Sequence, residues 1–355
     1  MSCLHPKSFA IGSRQRGAAL IVALLVFAIA AALMVGLQRD FTLHIERGRN
    51  GFLQEQGWVY LQGAEHLAAM ALRLDAQQDA VMDVKRDDLS EQWAQEATPY
   101  PLDEQGWLMG ELEDLQGRFN VNNLVNPTKQ PESDSVTEVK QTLGAGEIRL
   151  SSDQQQFIRL LQSLEGVDID LSLARTLTAA VIDFIDANDS PQVNGAEAEG
   201  YRQLVPAYRP ANQPLASVSE LRAVKGVTPE IYNALAPFVS VWPPGGSLLN
   251  IHTAPTVVLR SLNVDDRLDP LSANEAGRLD ELRAAGELVD IDALLSEPVF
   301  SGGAIEGLRG RLGESSSWFL LTAQVELAGR EQHLVSVLER DGQIIRSRYR
   351  SLGEL

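Results

Sequence analysis

The sequence predicts an α+β fold, in which a long N-terminal helix packs on an antiparallel sheet and a large all-α domain is inserted. Three observations indicate it. Residues 18–37 form an unbroken apolar run, and residues 313–355 contain three segments of alternating apolar and polar side chains. Between these ends, residues 121–312 show mainly helical patterns.

The apolar run, residues 18–37, is long enough as a helix to cross a bilayer. It contains no charge and no proline, and Lys7, Arg14 and Arg16 precede it. A buried core helix of this length would have a polar face, and a secretory signal would have a shorter apolar region followed by a small-residue cleavage site. A transmembrane helix is therefore favoured. The basic residues keep the N-terminus in the cytoplasm and place the globular part outside it.

The basic leader ending in Gly17, followed by Ala18 and the apolar run, resembles the signal of type IV pilins and type II secretion pseudopilins. The resemblance implies a leader, residues 1–17, that prepilin peptidase removes between Gly17 and Ala18 before methylating the new N-terminus. Most members have glutamate at mature position five, where this chain has Val22. The K-type minor pseudopilins of type II secretion lack that glutamate, and the chain is identified as a member of this type.

The composition fits an exported acidic protein. The formal net charge of −18 becomes −21 once a leader carrying Lys7, Arg14 and Arg16 is removed. Such a chain repels phosphate backbones and anionic lipid surfaces, so no nucleic-acid partner is expected. The single cysteine, Cys3, leaves with the leader, which excludes disulfides from the mature fold.

The region after the membrane span, residues 38–120, is predicted to contain a helix and the first strand of a pilin-like sheet. Gln38 to Ala76 lacks proline and has apolar residues at helical spacing, which favours one long helix over two helices meeting near Gly51. Asp87–Glu96 is predicted as a short helix, and alternation over Trp107–Leu115 predicts a strand.

The inserted domain, residues 121–312, begins with a polar stretch at 127–147 that is expected to be an exposed loop. Ser152 or Asp153 is a candidate cap for its first helix, and Ser172 for its second. Helices are predicted from the cap to Leu164 and over residues 173–185, 219–223, 229–238, 254–262, 274–284, 291–295 and 302–312.

Two short segments resemble each other and are predicted as helix-capping loops, Phe119–Leu124 and Leu249–Ala254. The C-terminal region, residues 313–355, completes the sheet with three strands. The Asp341-Gly342 pair is a strong hairpin signal. The strands are predicted over Trp318–Ala328, Gln332–Glu339 and Gln343–Tyr349.

The strongest candidate site follows a predicted helix that ends near Asp183 and Asp186. Carboxylates at a helix C-terminus oppose the helix dipole, so a cation is expected to offset them. Calcium takes several oxygen ligands from carboxylates and loop carbonyls. The predicted calcium ligands are Asp183, Asp186, Asn188, Asp189 and Glu197.

The spacing of that loop is similar to an EF-hand but departs from it. Counting from Asp186, Glu197 takes position twelve, while Pro191 stands where an EF-hand needs glycine. K-type pseudopilins have a similar segment, although Ala198 replaces one of their acidic residues. We interpret it as a calcium loop of its own type, with a solvated acidic loop as the alternative.

Other sites receive weaker support. Residues 216–235 resemble a helix-hairpin-helix, but Thr228 replaces its second glycine and only Arg222 and Lys225 are basic, so packing is favoured over DNA binding. The sequence has no catalytic motif of the G-x-S-x-G, H-E-x-x-H or C-x-x-C kind. Its five histidines, at positions 5, 44, 66, 252 and 333, are scattered. A non-enzymatic protein is therefore expected.

The resemblance implies a minor pseudopilin at the tip of the pseudopilus, anchored in the inner membrane with its globular domain in the periplasm. Minor pseudopilins I and J, other pseudopilins, the inner-membrane secretion assembly and exported substrates are the expected partners. In the family, the glutamate at mature position five pairs with the subunit above. A chain with Val22 in its place suits the end of a filament. A tip component of a type IV pilus, serving adhesion or DNA uptake, is the alternative.

Overall fold

The computed structural model describes residues 16–82, 86–102, 106–125, 150–265, 267–303 and 305–353. The chain divides into two compact units, Met1–Val59 and Tyr60–Leu355. Most of the predicted leader and the predicted loop at 127–147 lie outside the described residues.

The first helix, α1, is continuous over Arg16–Met82, which confirms the prediction of one helix rather than two. Its apolar part is exposed along its whole length, with Leu20, Val22 and Phe27 each more than half accessible. The 18-residue window of highest hydropathy has a mean hydropathy of 3.0 and no buried residue. Length, composition and exposure are all compatible with a membrane anchor.

Within the second unit, α1 buries a stripe of small and aliphatic side chains spaced three or four residues apart. Leu61 and Leu72 are fully buried in this stripe. Ala64 faces Gly110, where an added Cβ would lie 3.9 Å from the Cβ of Ala64. Helix and sheet therefore pack closely, as the sequence predicted.

The strands in the described part of the chain form one large antiparallel sheet and two short parallel pairs. The large sheet has the order β1-β2-β7-β8-β9, and the short pairs are β3 with β4 and β5 with β6. Asp114, at the end of β2, pairs with Phe319 near the start of β7. The predicted strands are thus confirmed with small shifts at their ends. Their bounds are β1 Tyr100–Pro101, β2 Gly106–Asp114, β3 Phe119–Asn120, β4 Val239–Ser240, β5 Leu249–Asn250, β6 Leu312–Gly313, β7 Trp318–Leu327, β8 Arg330–Asp341 and β9 Ile344–Ser351.

A block of helices lies between β2 and β7 in the chain and has its own hydrophobic core, drawn from residues between Phe119 and Leu312. Most of the predicted helices are confirmed, although the one at 219–223 is a 3-10 turn and the one at 302–312 is reduced to a single turn. The domain bounds at 121 and 312 stay a prediction. The helices are α2 Ser152–Gln162, α3 Leu171–Ile185, α4 Ala198–Arg202, α5 Pro229–Leu235, α6 Thr256–Arg260, α7 Ala273–Ala284, α8 Ile291–Leu295 and α9 Glu306–Arg309. Short 3-10 turns occur at Gln92–Ala94, Leu115–Gly117, Val121–Leu124, Val218–Ala223, Ala236–Phe238 and Pro298–Phe300.

The predicted helix Asp87–Glu96 is wrong, because only the turn Gln92–Ala94 forms there. Contacts from distant parts of the chain fix this segment instead. The backbone N–H of Asp87 donates to the carbonyl of Glu314 at 2.9 Å. Trp93 packs edge-on against Phe319, with ring centroids 5.1 Å apart.

The predicted caps of α2 and α3 are each displaced by one or two residues. Ser151 caps α2 in a capping box, so the prediction of Ser152 or Asp153 is wrong. Ser152 instead donates to Asp265 at 2.6 Å, and Asp153 is buried. Asp170, not Ser172, caps α3.

The two similar segments are capping loops only in part. Asn120 accepts from the backbone of Asn122 at the start of the 3-10 turn Val121–Leu124, as predicted. Helix α6 has no side-chain cap, so the capping prediction for Leu249–Ala254 is wrong. Thr253 donates to the buried carboxylate of Asp114 instead.

Candidate metal centre

Helix α3 delivers Asp183 into the loop that follows it. This side chain is fully buried, and both of its oxygens accept from the backbone N–H of Gln192 at 3.1 Å. The loop returns so closely that a Cβ at Gly195 would lie 1.9 Å from Asp183 Oδ2, so only glycine fits. Burial raises the pKa of Asp183, while the hydrogen bond from Gln192 opposes that rise.

Side chains of the predicted site also shape the turn beyond α3. Asp186 accepts from the backbone N–H of Asn188 at 3.1 Å, and Asn188 accepts from that of Ser190 at 2.8 Å. Asp189 accepts from the side-chain amide of Asn212 at 3.2 Å. These bonds hold three of the five predicted ligands in one loop.

Glu197 closes the loop at the start of α4 and is the least satisfied group in it. Its side chain is 7% exposed, and both carboxylate oxygens are buried without a hydrogen-bond partner among the residues described. Burial raises the pKa of Glu197, and the nearby carboxylates of Asp183, Asp186 and Asp189 raise it further. The predicted carboxylates are thus brought within electrostatic reach of one another.

This donor set fits a hard cation. Every predicted side-chain ligand offers oxygen, which calcium prefers. An ionised carboxylate buried without a partner carries a large free-energy cost, which a bound cation removes. The five residues fit calcium chemically, although their oxygens are less closely gathered than those of a second acidic group.

In this second group, the potential ligand atoms all lie within 4.8 Å of one another. Within the described ranges, it is the one such set of three or more His, Cys, Asp or Glu residues. It comprises Asp75, Asp79, Asp87 and Glu91, and it could hold a metal ion. Sequence reasoning missed it, since it depends on the position of residues 87–91, which were predicted to be helical. The spacing of Asp75 and Asp79, one turn apart on α1, was the available signal.

Arg340 of β8 supplies positive charge to this second group. Its guanidinium contacts Asp75 at 2.8 Å and also pairs with the buried Asp87. Burial raises the pKa of Asp75 to about 6 and that of Glu91 to about 8, and neighbouring carboxylates contribute in both cases. The group therefore combines like charges with a cation built into the chain.

The remaining predicted positions lie elsewhere. Gly17, Ala18 and Val22 belong to the first turns of α1, and cleavage between Gly17 and Ala18 stays a prediction. In the hairpin-like segment, Thr228 caps α5 and the Arg222 guanidinium lies 4.2 Å from the ring centre of Tyr232. Both contacts agree with a packing role.

Comparisons with known proteins agree on one family. A family model described as type II secretion system (T2SS), protein K matches residues 117–244. The type II secretion system protein K of Pseudomonas aeruginosa is 33% identical, over 93% of this chain and 91% of that protein. Its counterpart from Pectobacterium carotovorum is 30% identical, over 96% of this chain and 97% of that protein.

A solved structure extends the likeness to the fold. It is the GspK-GspI-GspJ complex from the enterotoxigenic Escherichia coli type 2 secretion system. The match has a TM-score of 0.66 and 26% identity, and it covers 87% of this chain and all of the matched chain.

Proposed function

The chain belongs to the type II secretion system protein K family, and we propose that this minor pseudopilin caps the pseudopilus tip and helps to nucleate its assembly. The observation that carries the proposal is Val22, in the exposed apolar part of α1. A carboxylate within the hydrocarbon costs about 2.5–3.5 kcal/mol on insertion scales unless it is paired. In most members of the wider family, a glutamate at this position pairs with the subunit above. A subunit with no neighbour above it does not need this glutamate, and Val22 is compatible with that position.

We propose minor pseudopilins of the I and J kinds as partners, because the matched structure is a complex that contains both. The other pseudopilins and the inner-membrane secretion assembly would act with them in exporting folded proteins from the periplasm. The alternative, a type IV pilus tip, is not favoured, since the relatives named above are type II secretion proteins.

Membrane placement and processing form part of the same proposal. Prepilin peptidase would cut between Gly17 and Ala18 and leave α1 as a single inner-membrane span. The basic residues before the span support a cytoplasmic N-terminus and a periplasmic globular part. Methylation of Ala18 would follow the cut, and N-terminal sequencing of membrane-extracted protein tests both steps.

A deletion strain tests the tip role. We expect loss of enzyme secretion without the gene and its return with the wild-type chain or with Val22→Leu, which keeps the helix apolar. Val22→Glu would allow the chain to enter the shaft, so we expect several copies per filament, counted by immunogold labelling, and impaired secretion. Normal secretion in the deletion strain, or one labelled end per filament with Val22→Glu, contradicts the proposal.

We also propose that Asp183, Asp186, Asn188, Asp189 and Glu197 hold a structural calcium ion. The buried and unpartnered carboxylate of Glu197 supports this assignment. Bound calcium would supply positive charge and fix the loop between α3 and α4. Its role would be structural, so removal of the ion with EDTA should lower the melting temperature of the protein.

A further inference from the structure

A cavity of about 490 Å³ lies where residues 86–90 meet α7 and the turn after β5. Its volume falls within the range of small-molecule sites. One part of its wall is apolar, with Leu89 and Leu288, and another part is polar, with Arg86 and His252. The cavity therefore offers both kinds of surface to one ligand.

His252 is the least satisfied polar group in this wall. Its side chain is 3% exposed, and within the described part of the chain its Nε2 atom has no hydrogen-bond partner. Burial lowers the pKa of His252 to about 4, and the positive charge of Arg86 contributes to that shift. A buried nitrogen without a partner is unfavourable, and a ligand in the cavity can remove this cost.

The carboxylates of the wall already have donors. Asp88 Oδ1 accepts from the backbone N–H of Ser90 at 2.8 Å and also from the Ser90 hydroxyl. Asp280 accepts from Thr256 at 2.9 Å and also pairs with Arg283. Both carboxylates of this wall therefore already have donors, and neither needs a bound cation.

The groups with unused hydrogen-bonding capacity are nitrogen atoms. Arg86 Nε is buried and, among the residues that the structure describes, lacks a hydrogen bond of good geometry despite its ion pair. Arg86 Nε and His252 Nε2 can therefore both donate a hydrogen bond to an acceptor atom of a ligand. Two arginines offset two aspartates here, so the local charge is balanced, and salt screens the acidic remainder of the chain.

We propose that this cavity binds a small aliphatic carboxylate. The carboxylate accepts hydrogen bonds from Arg86 and from the imidazole of His252, and the aliphatic chain packs on Leu89 and Leu288. Charge-assisted hydrogen bonds to guanidinium are among the stronger polar contacts in proteins. Such a ligand would join residues 86–90 to the helical block.

The test is a titration of the full-length chain in detergent, with ¹⁵N-labelled histidine and butyrate as the probe. The signal of His252 is assigned by its disappearance in His252→Gln. We expect butyrate to shift this signal saturably and to raise the pKa of His252, because a nearby anion favours imidazolium. n-Butylammonium, with the same chain and opposite charge, should leave it unmoved.

Two variants distinguish butyrate binding in the cavity from butyrate binding elsewhere on the surface. Arg86→Gln should weaken butyrate binding about tenfold, the equivalent of losing one hydrogen bond to a charged group. Arg73→Gln, at an exposed position on α1, is the matched control and should bind as the wild type does. The melting temperatures of both variants establish that they fold.

Four outcomes overturn the proposal. The first is the absence of a saturable shift at about 10 mM butyrate, a concentration that would nearly fill a site with a Kd of 1 mM. The second is equal binding of n-butylammonium, and the third is unchanged butyrate binding in Arg86→Gln. The fourth is phosphate binding as tight as that of butyrate, which would leave the apolar wall without a role.

Discussion

The two acidic groups of the second unit, Tyr60–Leu355, differ in the source of their counter-charge. The first, which we name the Arg340 group, comprises Asp75, Asp79, Asp87 and Glu91, and its positive charge is Arg340, a residue of the chain itself. Around Glu197 the described residues provide no hydrogen-bond partner, and the surrounding carboxylates add to the repulsion. We therefore expect an acidic group to need an external ion only where the fold supplies no cation of its own.

Removing Arg340 should have the largest effect on this comparison. Its side chain is 9% exposed, and Arg340→Met leaves Asp87 buried without its ion pair. Breaking a buried pair from one side costs about 3–5 kcal/mol, so we expect that loss of unfolding free energy in urea denaturation. Arg330→Met, at an exposed position of the same strand, is the control. A loss no larger than that of the control would mean that Arg340 does not balance the group.

Calcium removal should have the next largest effect, and only at the loop. An ion present at 100 times its Kd adds about 2.7 kcal/mol to folding stability, so EDTA should lower the melting temperature of the wild type. Asp186→Ala should melt lower in calcium and lose its sensitivity to EDTA. Glu199→Gln, an exposed neighbour, is the control. If EDTA does not change the melting temperature of the wild type, the loop does not hold a calcium ion. If Asp186→Ala stays sensitive to EDTA, the ion is bound by the Arg340 group instead.

Glu197→Gln should give a smaller change whose sign depends on calcium. The amide keeps the shape of the side chain and removes one of the mutually repelling charges. We expect a gain of about 1 kcal/mol in EDTA and a loss of similar size in calcium, compared by urea denaturation. A change of the same sign in both buffers would contradict an ion-holding role for this residue.

The pH dependence of the Arg340 group should give the smallest effect. The pKa of Glu91 is raised to about 8, so the folded chain binds more protons than the unfolded chain, and stability falls as pH rises through 8. Glu91→Gln should flatten this slope between about pH 5 and 8. Solvent screening of this half-buried group keeps the expected change below about 1 kcal/mol. The melting temperature in EDTA across this range measures it, and an unchanged slope in the variant contradicts the assignment.

The sequence predicted those features whose causes lie close together in the chain. The continuity of α1 follows from residues three and four apart, and β7, β8 and β9 follow from alternation and short turns. The acidic loop after α3 was predicted from carboxylates at a helix end, from their spacing and from the family resemblance, and its calcium ion stays a prediction. Asp87–Glu96 was mispredicted because Glu314 and Arg340, more than 200 residues away, hold Asp87 in place. The Arg340 group and the His252 cavity depend on similar long-range contacts, which no local pattern reveals.

The pairing of Asp114 with Phe319 makes the helical block separable in principle from its host sheet. The chain leaves the sheet and re-enters it at adjacent positions, so a short turn could replace some two hundred residues without moving a strand. Asp114 would then need replacement as well, because the block side chains of Asn250 and Thr253 hydrogen-bond its carboxylate. A minimal pilin scaffold cut from this protein should therefore carry an apolar residue at position 114.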